Sequence, residues 1–371
     1  MRVAINCRSF LKKQYAGIGR YTHNLVDSLA KIDKENEYHL YSRLNFLDFK
    51  RHVPKSPGKN FTVKADWFNQ GLEKTLDKID IYHSPSPDFI DIEKAKIVVT
   101  VHDLVYRLYP QGHTQETIET TDRQLREIVK KADKIICCSQ NTVDDLNRYF
   151  YLDRHKVSLV YQGVDKDNFY PMDDQDKTIA RKDLSDLGVS EPFILFVGTN
   201  EPRKNLKNLL FALVDLKNQN RFKGKLAVVG MEGWLNDDIQ SIVTKLEIKD
   251  NVHFLGYVSN EMLRNLYNLC EVFVFPSFYE GFGFPLVEAF SCGAAVVTSN
   301  ISSCPEVAKD AALISNPSDP REIASAIEHI LEDQKLKSEL KIRALRRAND
   351  FSFSKTAQET LKVYQDVYRL K

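Results

Sequence analysis

The chain has 371 residues, 43% hydrophobic and 28% charged, with a formal net charge of +1. That length exceeds one compact α/β unit and predicts two domains with a core each, and the ordinary composition excludes a long disordered tract. Near-neutral charge argues against a nucleic-acid partner, which would need a strongly basic face to release counterions from phosphates.

Short apolar runs alternate with stretches of helical period, the pattern of parallel sheets with crossover helices. MRVAINCRSFLKK carries a short apolar run broken by Asn6 and Arg8, so it reads as a first strand, Arg2 to Asn6, and not as a signal peptide. A helix is predicted over Gly19 to Ile32, followed by strands at Tyr38 to Ser42, Phe61 to Ala65, Ile81 to Ser84 and Lys96 to Val101. Then come a helix over Thr114 to Ala132 and strands at Lys134 to Ser139 and Val157 to Tyr161. GVDKDNFYPMDDQDK, Gly163 to Lys177, is polar, acidic and broken by Pro171, and is the predicted linker. Beyond it ILFVG, LAVVG, NVHFLG, EVFVFP and AAVVTS recur about one βα unit apart, which suggests a second doubly wound sheet. The final stretch aligns Ala357, Leu361, Tyr364, Val367 and Tyr368 on one helical stripe that must pack on something. The expected domains are therefore 1–170 and 178–352, with the last helix, 353–371, open to packing back on the first.

The six cysteines form no CxxC pair and lie mostly in apolar runs, so they are expected to be reduced, buried thiols. No apolar stretch approaches the roughly 18 residues of a membrane span, and a cytoplasmic protein is expected. Metal sites are not indicated. The DDQD of the linker and the pair Asp144, Asp145 lack converging ligands, and no HxxxH, HExxH or GxSxG pattern occurs.

The chemistry concentrates in FPSFYEGFGFPLVEAFSCGAAVVTS. A strand enters a loop holding Gly281 and Gly283, and a helix follows with Pro285 at its start and Gly293 past its end. Small residues let a ligand approach the backbone, and the positive end of the helix favours an anion such as a diphosphate. Glu280 and Glu288 bracket the turn; carboxylates repel phosphate, so sugar and ribose hydroxyls are their expected partners. The plainer reading is an ordinary βα unit with two surface glutamates. Arg203 and Lys204 follow the strand ILFVG, at the strand end where open α/β sheets bind ligands, and suit a diphosphate. They also read as solvated cations at a helix start, with little part in folding. VVTVHDL places His102 at a strand end, where it could meet a sugar hydroxyl or simply cap its loop.

EGFGFPLVEAFSCGAAVV resembles the signature of the retaining group-one, family-four glycosyltransferases, and TNEPRKN is similar to the GTxEPRKN wording of a subgroup with bacterial mannosyltransferases. CCSQNTVDDL, QGVDKDNFYP and NVHFLGYVSNEML match the family's usual wording, so the resemblance spans most of the chain, from the first strand to at least Gly293. It implies a GT-B fold: two Rossmann-like, doubly wound domains facing a cleft, an acceptor side first and a donor-binding domain second. It implies retaining transfer from a nucleoside diphosphate sugar, with GDP-mannose as the leading donor and no required metal or other cofactor. The acceptor would be a glycan or a lipid-linked glycan of a surface polysaccharide. Arg203, Lys204, Glu280 and His102 would be catalytic. Glu288 would hold the ribose; Gly19, Gly281, Phe282, Gly283, Phe284, Leu286, Tyr257 and Val258 would line the donor site. Arginine directly after the strand glycine is usual in many relatives, but Thr199 stands there, which leaves the lysine role firmer than the arginine role. Two other readings remain open here: a nucleotide-sugar 2-epimerase of the same architecture, and a non-catalytic sugar-nucleotide-binding partner. Lipid-linked acceptors and the cluster Arg8, Phe10, Leu11, Lys12, Lys13 and Arg20 add an expected contact with an anionic membrane surface at the inner face of the cell membrane.

Overall fold

Strands buried on both faces must be apolar almost throughout, and the short valine- and isoleucine-rich runs of this chain meet that demand. The computed structural model describes residues 1–10, 17–44, 55–68, 70–87, 92–112, 114–230 and 236–370. Its first sheet contains β1 (Arg2–Asn6), β2 (Glu37–Arg43), β3 (Phe61–Asp66), β4 (Ile81–Ser84), β5 (Lys96–Val101), β6 (Lys134–Cys137) and β7 (Val157–Leu159). All pairings are parallel, in the order β3-β2-β1-β4-β5-β6-β7. The order reverses between β1 and β4, and ligands of open parallel sheets bind beyond the carboxyl ends of strands at such a point.

The second sheet contains β8 (Phe193–Val197), β9 (Lys225–Val229), β10 (Val252–Gly256), β11 (Val272–Phe275), β12 (Val296–Ser299) and β13 (Leu313–Ser315). It is also parallel, ordered β10-β9-β8-β11-β12-β13, with its reversal between β8 and β11. Leu209, Leu213 and Leu216 of helix Leu206–Asn218 and Ile323, Ile327 and Ile330 of helix Pro320–Glu332 share its core with Ile194 and Val274. β13, at the end of the short run AALIS, escaped prediction: it has only three residues, and its middle one, Ile314, is exposed.

Two compact units result. Met1–Leu108, Thr114–Gly163 and Ser352–Lys371 form the first, and Val164–Phe351, with a short piece starting at Tyr109, the second. The chain leaves the first unit at Gly163, ahead of residue 170, and the expected linker is not loose. Phe169 is buried edge-on against Tyr267, the Met172 amide donates to Asn268 Oδ1, and Asp173 caps helix Asp174–Asp186. The acidic run thus serves a helix N-terminus, where carboxylates offset the dipole. All six cysteines are free and buried. No described helix is long and apolar enough to cross a membrane.

The last helix, Phe353–Arg369, belongs to the first unit and packs against helix Ile18–Ile32. Its buried stripe is rotated from the expected one: Thr356, Ala357, Thr360, Val363, Tyr364 and Val367 face inward, while Tyr368 is 53% exposed. The threonines were overlooked because they are polar; Thr360 returns its hydroxyl to the Thr356 carbonyl, and Thr356 donates to Tyr161 O at 2.8 Å. Chain and helix meet closely at Gly163, where a Cβ would lie 2.1 Å from the Phe353 nitrogen. Both sides of that contact are backbone, so neither can yield. Gly163→Ala should therefore lower unfolding stability by about 3 kcal/mol, to be measured by denaturant titration; unchanged stability would show that the helix can lift away from residue 163.

Candidate active site

The β8/β11 reversal brings two strand-end loops of the second unit together. After β8, a turn of 3-10 helix over Pro202–Lys204 presents the two cations; after β11, the loop carries Glu280. Backbone ties the loops, with Phe278 N donating to Arg203 O at 2.7 Å and Arg203 Nη1 to Tyr279 O at 3.1 Å. Lys204 Nζ lies 2.6 Å from Glu280 Oε1, and Arg203 Nη1 lies 3.1 Å from Oε2. Arg203 Nε also meets Glu201 at 2.7 Å. The lysine stem runs past Gly198, where a Cβ would come within 3.4 Å of Lys204 Cδ, and its ammonium lies 5.2 Å from the centre of the Phe275 ring.

Lys204 is only 9% exposed and Glu280 6%, which sets aside the plainer reading of solvated cations and corrects the expectation that Lys204 has little part in folding. Burial pushes the Glu280 carboxyl up, but Lys204 and Arg203 more than compensate and hold it below its ordinary value. Ser302 and Ser303 fasten the loop. Ser302 Oγ accepts from Glu280 N, and Ser303 Oγ donates to the carbonyls of Glu280 and Phe282. Asn205, left-handed at φ 62°, donates its amide to Pro276 O and Pro317 O.

Gly283, at φ 98°, caps helix Phe284–Ser291, a conformation that favours glycine. The helix start offers fewer amides than its position suggests: Pro285 has none, and the Leu286 amide donates to Gly283 O. Gly281 is buried, Phe282 packs edge-on against Phe284 and Phe351, and Leu286 is fully buried beneath Gly283, so ligand contacts here fall to backbone. Glu288 is 2% exposed and accepts from Tyr267 Oη at 3.3 Å. Both glutamates are therefore buried, and the reading as surface residues is withdrawn. Tyr257 and Val258 follow β10, two strands from β8 at the same carboxyl edge, and Tyr257 is exposed.

In the first unit, Gly17 caps helix Ile18–Ile32 at φ 52°, while Gly19 lies buried in its first turn. The permissive backbone is thus at Gly17. His102 follows β5, is half-buried, and is held at both ring nitrogens and its carbonyl. Its Nε2 lies 2.8 Å from Pro85 O, its Nδ1 2.7 Å from Gln162 Nε2, and its carbonyl accepts from Cys138 Sγ and Thr142 Oγ1. Tyr21 meets the ring edge-on at 4.9 Å between centroids. Both ring nitrogens are spent inside the unit, so His102 can take a sugar hydroxyl only by releasing a partner. Leu11, Lys12 and Lys13 lie outside the described residues, as does the side chain of Phe10. Among the described residues no group of three or more metal-ligating side chains converges.

Residues 180–347 match the profile for glycosyl transferases group 1, and residues 15–168 that for glycosyltransferase family 4. The chain belongs to the group 1 glycosyltransferases. It is 28% identical to O-antigen chain mannosyltransferase B of Escherichia coli, over 96% of this chain and 97% of that one. It is 32% identical to the serotype-specific mannosyltransferase WbdA of Escherichia coli, over 71% of this chain but 32% of that longer protein. Sucrose-phosphate synthase from Thermosynechococcus elongatus shares the fold at a TM-score of 0.79 and 21% identity, over 100% of both chains. Two Rossmann-like units in one chain, so matched, are the GT-B fold.

The sequence reading of this glycosyltransferase missed Ser302, Ser303, Tyr267 and Gln162. Serines after a strand and a tyrosine in an amphipathic helix carry no spacing that marks them, and Gln162 was quoted only within a matching string. The ion pair makes a stability prediction. A carboxyl held low when folded stabilises above the ordinary carboxylate range, and that contribution is lost as pH falls through the folded value. Lys204→Ala leaves Glu280 buried with one cation fewer, so stability near pH 7 should drop by about 3 kcal/mol and acid unfolding should move to higher pH. Equal acid-unfolding curves for the two proteins would show that Arg203 alone compensates Glu280.

Proposed function

We propose that this glycosyltransferase moves mannose from GDP-mannose to a glycan or lipid-linked acceptor hydroxyl in bacterial surface polysaccharide assembly, with anomeric retention and no required metal. The observation that carries the reading is the Lys204–Glu280–Arg203 cluster at the reversal point of the second sheet. The relatives named as O-antigen and serotype-specific mannosyltransferases support the sugar and the pathway class.

On this reading the cluster works by exchange. In the free chain Glu280 neutralises the cations; an arriving diphosphate takes Lys204 and Arg203, and the released carboxylate accepts hydroxyls of the donor sugar. As the glycosidic bond breaks, charge grows on the diphosphate, and cations already in place stabilise it without reorganising. The leaving phosphate then helps to deprotonate the acceptor on the same face of the sugar, which gives retention. Glu288, with Tyr267 behind it, holds the ribose. His102 contacts a sugar hydroxyl, and the first unit carries the acceptor.

A donor screen tests this directly: among nucleotide sugars offered without acceptor, GDP-mannose should be hydrolysed fastest. With saturating donor, Lys204→Ala should lower kcat by roughly 10² to 10³, measured where the variant remains folded. Excess chelator should change the rate by less than about twofold, or about 0.4 kcal/mol of barrier. A near-normal kcat in the variant would remove Lys204 from the chemistry, and activity restored by Mg²⁺ after chelation would remove metal independence.

The cationic and apolar residues from Arg8 to Arg20 extend the proposal to an anionic membrane surface, where each charge contributes about 1 kcal/mol. Wild type should sediment with anionic liposomes better than with neutral ones, and exchanging Lys12 and Lys13 for glutamate should erase the difference. Equal binding by both proteins would separate these residues from any membrane role.

A further inference from the structure

Gln162 is 1% exposed, and no mechanism so far uses it. It sits between Tyr161, whose carbonyl accepts from Thr356, and Gly163, pressed against the backbone of Phe353, so its backbone is clamped on both sides. Its amide nitrogen lies 2.7 Å from His102 Nδ1, while Oε1 has no hydrogen-bond partner among the described residues. The roles in this pair are set by the far side of the ring. Pro85 O can only accept, so Nε2 must carry a proton. If Nδ1 carried one too, the ring would be a cation in a half-buried setting where desolvation disfavours charge. The neutral ring therefore presents a bare Nδ1, and the amide must turn its NH₂ toward it. That leaves Oε1 over, the cheaper group to leave unmatched, since the flipped amide would strand two donors.

We propose that Gln162 is the positioning residue of His102: with Pro85 O keeping the proton on Nε2, its NH₂ on Nδ1 orients the imidazole and holds it neutral, so that Nδ1 can act only as a hydrogen-bond acceptor. A sugar hydroxyl reaching His102 would replace the Gln162 NH₂ and donate its own proton to Nδ1; the ring neither gives nor takes a full proton. This role in turnover rests on the proposed contact between His102 and the donor sugar, whereas the protonation state does not. The groups around the ring that bear on its charge are Asp103 next in the chain, His83 across the sheet, the Tyr21 phenol and the Cys138 thiol. Burial and His102 itself push His83 down to about 3, so it stays neutral and adds no charge near neutral pH.

The test is ¹⁵N NMR of histidine side chains in the intact chain, with the His102 signals assigned by their loss in His102→Gln. In wild type, without donor, Nδ1 should read as unprotonated at neutral pH and above. Gln162→Glu keeps the shape but puts a carboxylate opposite Nδ1, so Nδ1 should gain a proton and His102 should stay charged to higher pH. Gln162→Met removes both polar atoms at similar volume; Pro85 O still keeps the proton on Nε2, but the neutral ring loses its donor at Nδ1, so His102 should take up its second proton at higher pH than in wild type. If the sugar contact also holds, kcat/KM for the donor should fall about tenfold in both variants, and in Gln162→Glu it should recover as pH rises. A protonated Nδ1 in wild type, or a His102 titration unchanged by Gln162→Met, would overturn the assignment. The expected spectra with unchanged kinetics would uphold it and instead remove His102 from the donor reading.

Discussion

A carboxylate stays ionised in a dry interior only if cations stand beside it, and Glu280 has two. Those cations come from the loop after β8 and the carboxylate from the loop after β11, so the pair closes the sheet's reversal point and sets the path of both loops. Everything nearby follows that path. Asn205 ties the β8 loop to the carbonyls of Pro276 and Pro317, Ser302 and Ser303 hold the backbone of Glu280 and Phe282, and the helix starting at Phe284 takes its direction from the left-handed Gly283. Breaking the pair would leave a buried charge, so the site and the fold of its loops are one problem.

The first unit solves a related problem without charge. His83 is fully buried, with Nδ1 2.6 Å from Tyr364 Oη and Nε2 2.9 Å from Thr100 Oγ1. Thr100 in turn faces Tyr21 Oη at 3.4 Å, and Tyr21 meets the His102 ring. Tyr364 belongs to the last helix, so a residue near the end of the chain completes a network that ends at a strand-end histidine. Buried polar groups must find partners, and these find one another across the sheet. The last helix is thus held by hydrogen bonds as well as by its apolar stripe.

Much of this was legible from residue order. Short apolar runs mark buried parallel strands, so β1 and β5 were placed at their observed bounds, and Gly, Pro and Gly marked the helix after Glu280. Burial was not legible. Arg203, Lys204, Glu280 and Glu288 were read as facing a ligand, with solvated side chains as the plainer alternative; that Lys204 and Glu280 would be buried against one another was not legible, because charged residues are mostly exposed and spacing says nothing about which strand ends will be neighbours. The strand order decides that, and only it brings residue 204 to residue 280. The threonines of the last helix were lost for a different reason: a helical stripe read by hydrophobicity skips polar residues that pair with backbone inside it.

Under the proposed function, the free-state pairing also bears on selectivity. A bare phosphate could attract Lys204 and Arg203, but it would leave Glu280 beside it, desolvated and repelled. A nucleoside diphosphate alone has the same defect: its ribose hydroxyls go to Glu288 on this reading, and its phosphate oxygens only accept, so Glu280 gains no donor. A diphosphate that carries a sugar brings hydroxyl donors together with the anion, so one ligand satisfies the cations and the carboxylate they release. Discrimination of this kind rests on a penalty against incomplete ligands rather than on tighter contact with the complete one. The same buried charge that ties the two loops would then make the site read both ends of its donor.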